Sequence, residues 1–161
     1  TFNHLYGDTF PLPEPSIDPS VQTIPGIDGQ KMSKSYNNTI PLFADDATLK
    51  KQVMSIQTDS TPLEQPKDPK KCNVFALYST LARPDEIENL RNKYLAGNFG
   101  YGEAKKLLLK KLHETLDPFR QKRVELMAKF DYVEEVLNEG GKRARKVAKK
   151  TMDEVREKVG L

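Results

Sequence analysis

The chain has 161 residues, of which 37% are hydrophobic and 30% charged, and a net charge of +3. That is long enough to bury a core, and too weakly basic to identify a nucleic-acid partner by charge alone. One cysteine, Cys72, excludes an internal disulfide and a multi-cysteine zinc cluster and fits a reducing cytoplasm, and no signal-peptide pattern or long apolar run points to a membrane.

Six of the eleven prolines fall in the first 43 residues, a density that predicts short strands and loops there. Ser20-Val21-Gln22-Thr23-Ile24 alternates apolar side chains and is the best strand candidate. It leads into Pro25-Gly26-Ile27-Asp28-Gly29-Gln30 and then Lys31-Met32-Ser33-Lys34-Ser35. Two ammonium groups three residues apart can grip a polyphosphate as point charges, and the two hydroxyls can bond phosphate or cap a turn. Gly26 and Gly29 let the backbone bend and approach a ligand closely. By average residue usage the pentapeptide arises by chance on the order of once in ten thousand such chains, so a merely solvated loop is the weaker reading.

From Asp45 the period turns helical. Asp45 and Asp46 suit the start of a helix carrying Leu49, Val53 and Ile56. Residues 57–72 form a polar loop with Pro62, Pro66 and Pro69 and with Lys67, Lys70 and Lys71. Asn73 is expected to cap the next helix, with Val74, Phe75, Leu77, Tyr78 and Leu81. Pro84 fits a first helical position, Ile87, Leu90, Tyr94 and Leu95 share a face, and Gly97 stops that helix. A long helix follows with Ala104, Leu108, Leu112, Leu116 and Phe119 on one side, and Pro118 should bend or restart it. Asp131 is expected to cap a shorter helix, and a last one, after Gly140-Gly141, spaces Ala144, Ala148, Met152, Val155 and Val159 along one stripe. The faces predict a bundle of five or six helices.

Other chemistry is thin. His4 and His113 lack metal-ligand spacing, Ser33 and Ser35 lack a His–Asp pair, and the leucines of residues 107–116 read as core. Glu134-Glu135 and Asp85-Glu86 read as helix-surface carboxylates. Six of the nine residues 142–150 are cationic, which suits either a solvated helix face or sequence-blind contact with RNA phosphates.

The lysine pentapeptide resembles the second ATP-site motif (KMSKS) of the class I aminoacyl-tRNA synthetases. Its flanks, Pro25 to Gln30 and Tyr36-Asn37-Asn38-Thr39-Ile40, look like the tryptophanyl branch of that family. So do Phe2-Asn3, Pro13-Glu14-Pro15, Thr58-Asp59-Ser60, Gly100-Tyr101-Gly102-Glu103-Ala104-Lys105 and Val159-Gly160-Leu161, in that order. The resemblance implies a mainly α chain: a short remnant of an α/β nucleotide-binding domain over residues 1–43, then a helical anticodon-binding domain over 44–161. It implies ATP binding by Lys31, Met32, Ser33, Lys34 and Ser35, with Lys34 the principal and Lys31 the second contact to the leaving pyrophosphate, and Met32 against the adenine through its backbone. For the whole enzyme it implies tryptophan activation by ATP with Mg2+, transfer to tRNA(Trp), a homodimer and a cytoplasmic location, with no metal site in this chain. Lys67, Lys70 and Lys71 become candidates for anticodon contact, because unpaired RNA bases suit a basic loop on a helical scaffold.

The chain departs from the family in one respect. It has no His-x-Gly-His-like element, and Thr1-Phe2-Asn3-His4 is not one; the family places that element and the tryptophan pocket upstream. With Thr1 rather than Met at position 1, the expectation is a C-terminal half that is inactive alone. The rivals are another class I synthetase such as the tyrosyl enzyme, which shares the lysine motif, and a non-catalytic helical module that binds RNA or protein.

Overall fold

The computed structural model describes residues 1–19 and 21–161. They are mainly helical: α1 (Phe2–Tyr6), α2 (Asp46–Met54), α3 (Asn73–Ser79), α4 (Pro84–Ala96), α5 (Tyr101–Met127) and α6 (Phe130–Val159), with 3-10 turns at Lys34–Tyr36 and Pro69–Lys71. No strand occurs among the described residues. Of the expected strand, Ser20 lies outside them, and residues 21–23 form a turn and bends, with Val21 and Ile24 exposed. The only ladder pairing among the described residues is an antiparallel bridge between Pro25 and Lys31. A strand needs a neighbour along its length to satisfy its backbone, and here the pairing reaches only Ile24, whose carbonyl accepts the Met32 amide at 2.9 Å.

Residues divide into two compact units, Ile17–Gln121 and Thr1–Ser16 with Lys122–Leu161. Within the unit Ile17–Gln121, Ile40 is buried in the helical core and Met32 packs against it.

In the unit Ile17–Gln121, α2 to α5 bury Leu49, Val53, Val74, Tyr94, Ala104 and Leu108 almost completely. Tyr94 lies at the centre, its ring centroid 5.6 Å from those of both Phe75 and Phe99. Its hydroxyl lies 3.3 Å from the buried Cys72 Sγ, and burial pushes its pKa well above the ordinary tyrosine value. The leucines of residues 107–116 are core as expected, whereas Phe119 is exposed. The helix starts follow local rules. Asp45 accepts the Thr48 backbone amide at 2.8 Å and caps α2. The Arg83 amide donates to Glu86 Oε2 at 2.8 Å, with Pro84 in the first position of α4. Gly97 ends α4 at φ 74°, where a Cβ would stand 2.5 Å from the Glu64 carbonyl oxygen. Asn73 corrects an expectation: it opens α3 without capping it, and its amide donates to the Gln57 carbonyl at 3.1 Å instead.

α5 runs through Pro118 without restarting, since the turns on either side can carry one missing backbone bond.

In the unit Thr1–Ser16 with Lys122–Leu161, α1 is a short helix where only strands and loops were expected. The Asn3 side chain folds the segment after it back, donating to Phe10 O at 2.6 Å and accepting from Phe10 N at 3.0 Å. α6 is one helix of 30 residues where two were expected. Asp131 sits in its first turn rather than at its cap, and Gly140-Gly141 are carried inside it. Two glycines cost roughly 1 kcal/mol each in a helix, too little to break one with good formers on both sides. No residue of α6 is buried, with Leu137 68% and Val147 73% exposed. The expected bundle therefore holds for α2 to α5, and along the stripe of α6 Ala144, Ala148, Met152 and Val159 are exposed while Val155 is half-buried.

Candidate nucleotide-binding loop

The lysine loop is built as a pinned turn. Gly26 N donates to Gln30 O at 2.7 Å, Gly29 N to Gly26 O at 3.1 Å, and Met32 N to Ile24 O at 2.9 Å. Beyond it Ser33 caps the 3-10 turn, accepting the Ser35 amide at 3.3 Å, and Asn37 reverses the chain in the left-handed region at φ 53°.

Beneath this turn lies Asn38, only 1% exposed. Its Oδ1 accepts the Ser33 amide at 2.8 Å, and its Nδ2 donates to Asp28 Oδ1 at 2.8 Å and to the Lys31 carbonyl at 3.1 Å. Asp28 Oδ1 also accepts the Gln30 amide at 3.0 Å, and the Asn38 carbonyl accepts the Ile27 amide at 3.0 Å. Gly26 serves this arrangement, and Gly29 the close passage of Asn73. A Cβ on Gly26 would stand 2.4 Å from Asn38 Cγ, and one on Gly29, at φ 81°, would stand 2.8 Å from Asn73 Nδ2.

Lys31 and Lys34 are both exposed, and neither ammonium has a hydrogen bond or ion pair among the described residues. Ser35 is exposed, whereas Ser33 and Met32 are half-buried. The Met32 side chain packs on the core and lines a cavity of about 170 Å3 with Ile24, Ile40, Leu77, Leu108 and Leu112. An unbranched thioether beside empty apolar space can repack if the loop moves. Downstream, Arg120 clips the departing chain to α5. Its guanidinium donates to the carbonyls of Leu42, at 3.1 Å, and of Ala44, and to Asp46 and Asp117 at 3.0 and 3.2 Å.

The 57–72 loop separates its three lysines. Lys67 is 3% exposed, and its ammonium donates to the carbonyls of Pro62, Leu63 and Gln65 at 2.9, 3.3 and 3.2 Å, so the expected contact with RNA does not fit this residue. It also lies over the Tyr101 ring, 5.4 Å from the centroid. Tyr101 donates to Asp59 Oδ1 at 2.8 Å. Hydrogen bonds from the Thr61 side chain and backbone, then from Tyr101, lower the Asp59 pKa. Lys70 and Lys71 are exposed on the 3-10 turn that Asp68 caps, and neither has an ion pair among the described residues.

On α6 the basic stretch is partly balanced, with Lys142 on Glu139 at 2.6 Å and Lys149 on Asp153 at 2.9 Å. Arg143, Arg145, Lys146 and Lys150 have no ion pair among the described residues. His113 lies 3.3 Å from Asp117, an ordinary helix-face pair. Sequence reasoning did not single out Asn38 or Arg120. The signal for Asn38 was an amide closely following a Gly-x-Asp-Gly turn, which reads equally well as another turn residue.

The family model for tRNA synthetases class I (W and Y) matches residues 1–117. A tryptophan–tRNA ligase from Fusobacterium nucleatum is 52% identical over 99% of this chain and 49% of its own length. One from Rhodopirellula baltica is 48% identical over 100% of this chain and 50% of its own. A crystal structure of tryptophanyl-tRNA synthetase from Campylobacter jejuni, complexed with ADP and tryptophan, superposes with a TM-score of 0.83 at 40% identity, covering 99% of this chain and 50% of that one. The chain spans about half the length of the curated relatives it matches.

Proposed function

Since this chain belongs to the class I tRNA synthetases (W and Y), we propose that it is the C-terminal half of an enzyme that attaches tryptophan to its tRNA with ATP. The single observation that carries this reading is the pair of exposed, unpaired ammonium groups, Lys31 and Lys34, on a turn pinned from below by Asn38. The names of the relatives favour tryptophan over tyrosine as the amino acid.

In the proposed reaction the tryptophan carboxylate attacks the α-phosphorus of ATP. The bond to the β-phosphate oxygen breaks, and tryptophanyl adenylate and pyrophosphate form. A ribose hydroxyl of the tRNA then attacks the aminoacyl carbonyl, and AMP leaves. Negative charge grows on the departing pyrophosphate, and fixed cations aimed there stabilise the transition state more than the ground state. Lys34 is the principal contact and Lys31 the second, with Ser33 and Ser35 offering hydroxyls and Met32 its backbone. Magnesium comes with the nucleotide as part of the substrate.

Residues 1–43 close the catalytic domain in this reading, and residues 44–161 form the part that approaches the anticodon. Lys70 and Lys71 face the RNA, while Lys67 shapes their loop from inside. The whole enzyme is a homodimer in the cytoplasm. The tryptophan pocket and the first nucleotide motif lie outside this chain, so the chain alone makes no adenylate.

The test is charging of tRNA(Trp) by the complete enzyme, with tryptophan and tyrosine compared. Charging with tryptophan alone supports the reading, and charging with tyrosine, or none, refutes it.

A further inference from the structure

We propose that Asn38 is a positioning residue for the proposed chemistry: its buried carboxamide sets where the loop presents Lys31 and Lys34. This deepens the functional reading above and rests on it.

The geometry is specific. Asn38 bonds the Lys31 carbonyl and the Ser33 amide, the backbone groups on either side of Met32. It therefore fixes the loop between its two lysines. Its remaining donor is taken by Asp28, whose same oxygen holds the Gln30 amide, so the turn before Lys31 is tied to the same point. Both amide hydrogens and the carbonyl are used, at 1% exposure. Ile40, two residues on, is buried in the core, so the clasp is anchored from below. None of these bonds uses a lysine ammonium. Asn38 acts through the backbone and leaves both cations free for phosphate.

Charge chemistry supplies a discriminating variant. Asn38→Asp retains an acceptor for the Ser33 amide but loses both donors. It also sets a second carboxylate at hydrogen-bond distance from Asp28. Adding Asp28→Asn removes that repulsion and returns one donor to the pair. Asn38→Ala removes the whole clasp.

Two measurements on the complete enzyme decide the matter. First, hydrogen exchange at the Ser33 amide should be faster in Asn38→Ala than in wild type; unchanged exchange would overturn the clasp, whatever the enzyme does. Second, in tryptophan-dependent ATP–pyrophosphate exchange, Asn38→Asp should lose roughly tenfold in kcat/KM for ATP, as expected for a broken buried hydrogen bond. Its KM for tryptophan should stay near wild type while its melting temperature falls, because a second buried carboxylate beside Asp28 is costly, and adding Asp28→Asn should recover part of both losses. Wild-type kinetics in Asn38→Asp, or equal losses for ATP and tryptophan, would overturn the positioning role. A wild-type enzyme that shows the clasp but no tryptophan-dependent exchange would refute the functional reading, and the positioning role with it.

Discussion

Gly26 lies so close against Asn38 that a methyl group on it would stand 2.4 Å from the Asn38 Cγ and 2.7 Å from its carbonyl oxygen. The side chain could turn aside only by breaking its bonds to Asp28, Lys31 and Ser33, and the carbonyl accepts the Ile27 amide at 3.0 Å and cannot move freely. Gly26→Ala should therefore destabilise the fold by about 2 kcal/mol, an ordinary cost of overpacking. Thermal unfolding checks this, and a melting temperature equal to that of wild type would show that the loop yields without cost.

The three lysines of the 57–72 loop should behave oppositely. Lys67→Ala leaves three carbonyls without their shared donor and should lower stability by about 2 kcal/mol, as for a lost buried charged donor. Lys70→Ala and Lys71→Ala remove exposed cations and should leave the melting temperature unchanged. Together the latter two should raise the KM for tRNA in the complete enzyme, more at low salt than at high. Melting curves and charging kinetics for the three variants separate the roles.

The Glu86–Lys111 pair gives a pH dependence with a definite sign. The Lys111 ammonium, 2.6 Å away, and then the Arg83 backbone amide hold the Glu86 carboxyl below the ordinary glutamate value. A carboxyl whose pKa is lower when folded stabilises the fold above the ordinary range. That contribution fades as pH falls through the lowered value. Melting temperatures of wild type and Glu86→Gln should thus differ most near neutrality and converge below about pH 4. A gap that persisted unchanged into acid would contradict this origin.

Much of this was legible in the sequence, and the legible part is local. The lysine loop, the Asp45 cap, Pro84 and the Gly97 stop are relations within a few residues, which a linear reading captures. The Asn38 clasp is not, because its partners Asp28, Lys31 and Ser33 become neighbours only once the chain has turned back. Nor does anything in Pro66-Lys67-Asp68 mark that lysine as inward. α6 failed for the opposite reason. Gly140-Gly141 reads as a break by propensity, yet the helix formers around it outweigh the two glycines.

The most direct test is Lys34→Ala in the complete enzyme, followed by tryptophan-dependent ATP–pyrophosphate exchange and by tryptophan binding at equilibrium. Loss of one preorganised cation at the leaving group predicts a fall in kcat of about a hundredfold, with tryptophan affinity nearly unchanged. Unaltered exchange, or equal losses in turnover and in tryptophan binding, would contradict a role for this ammonium in the departure of pyrophosphate.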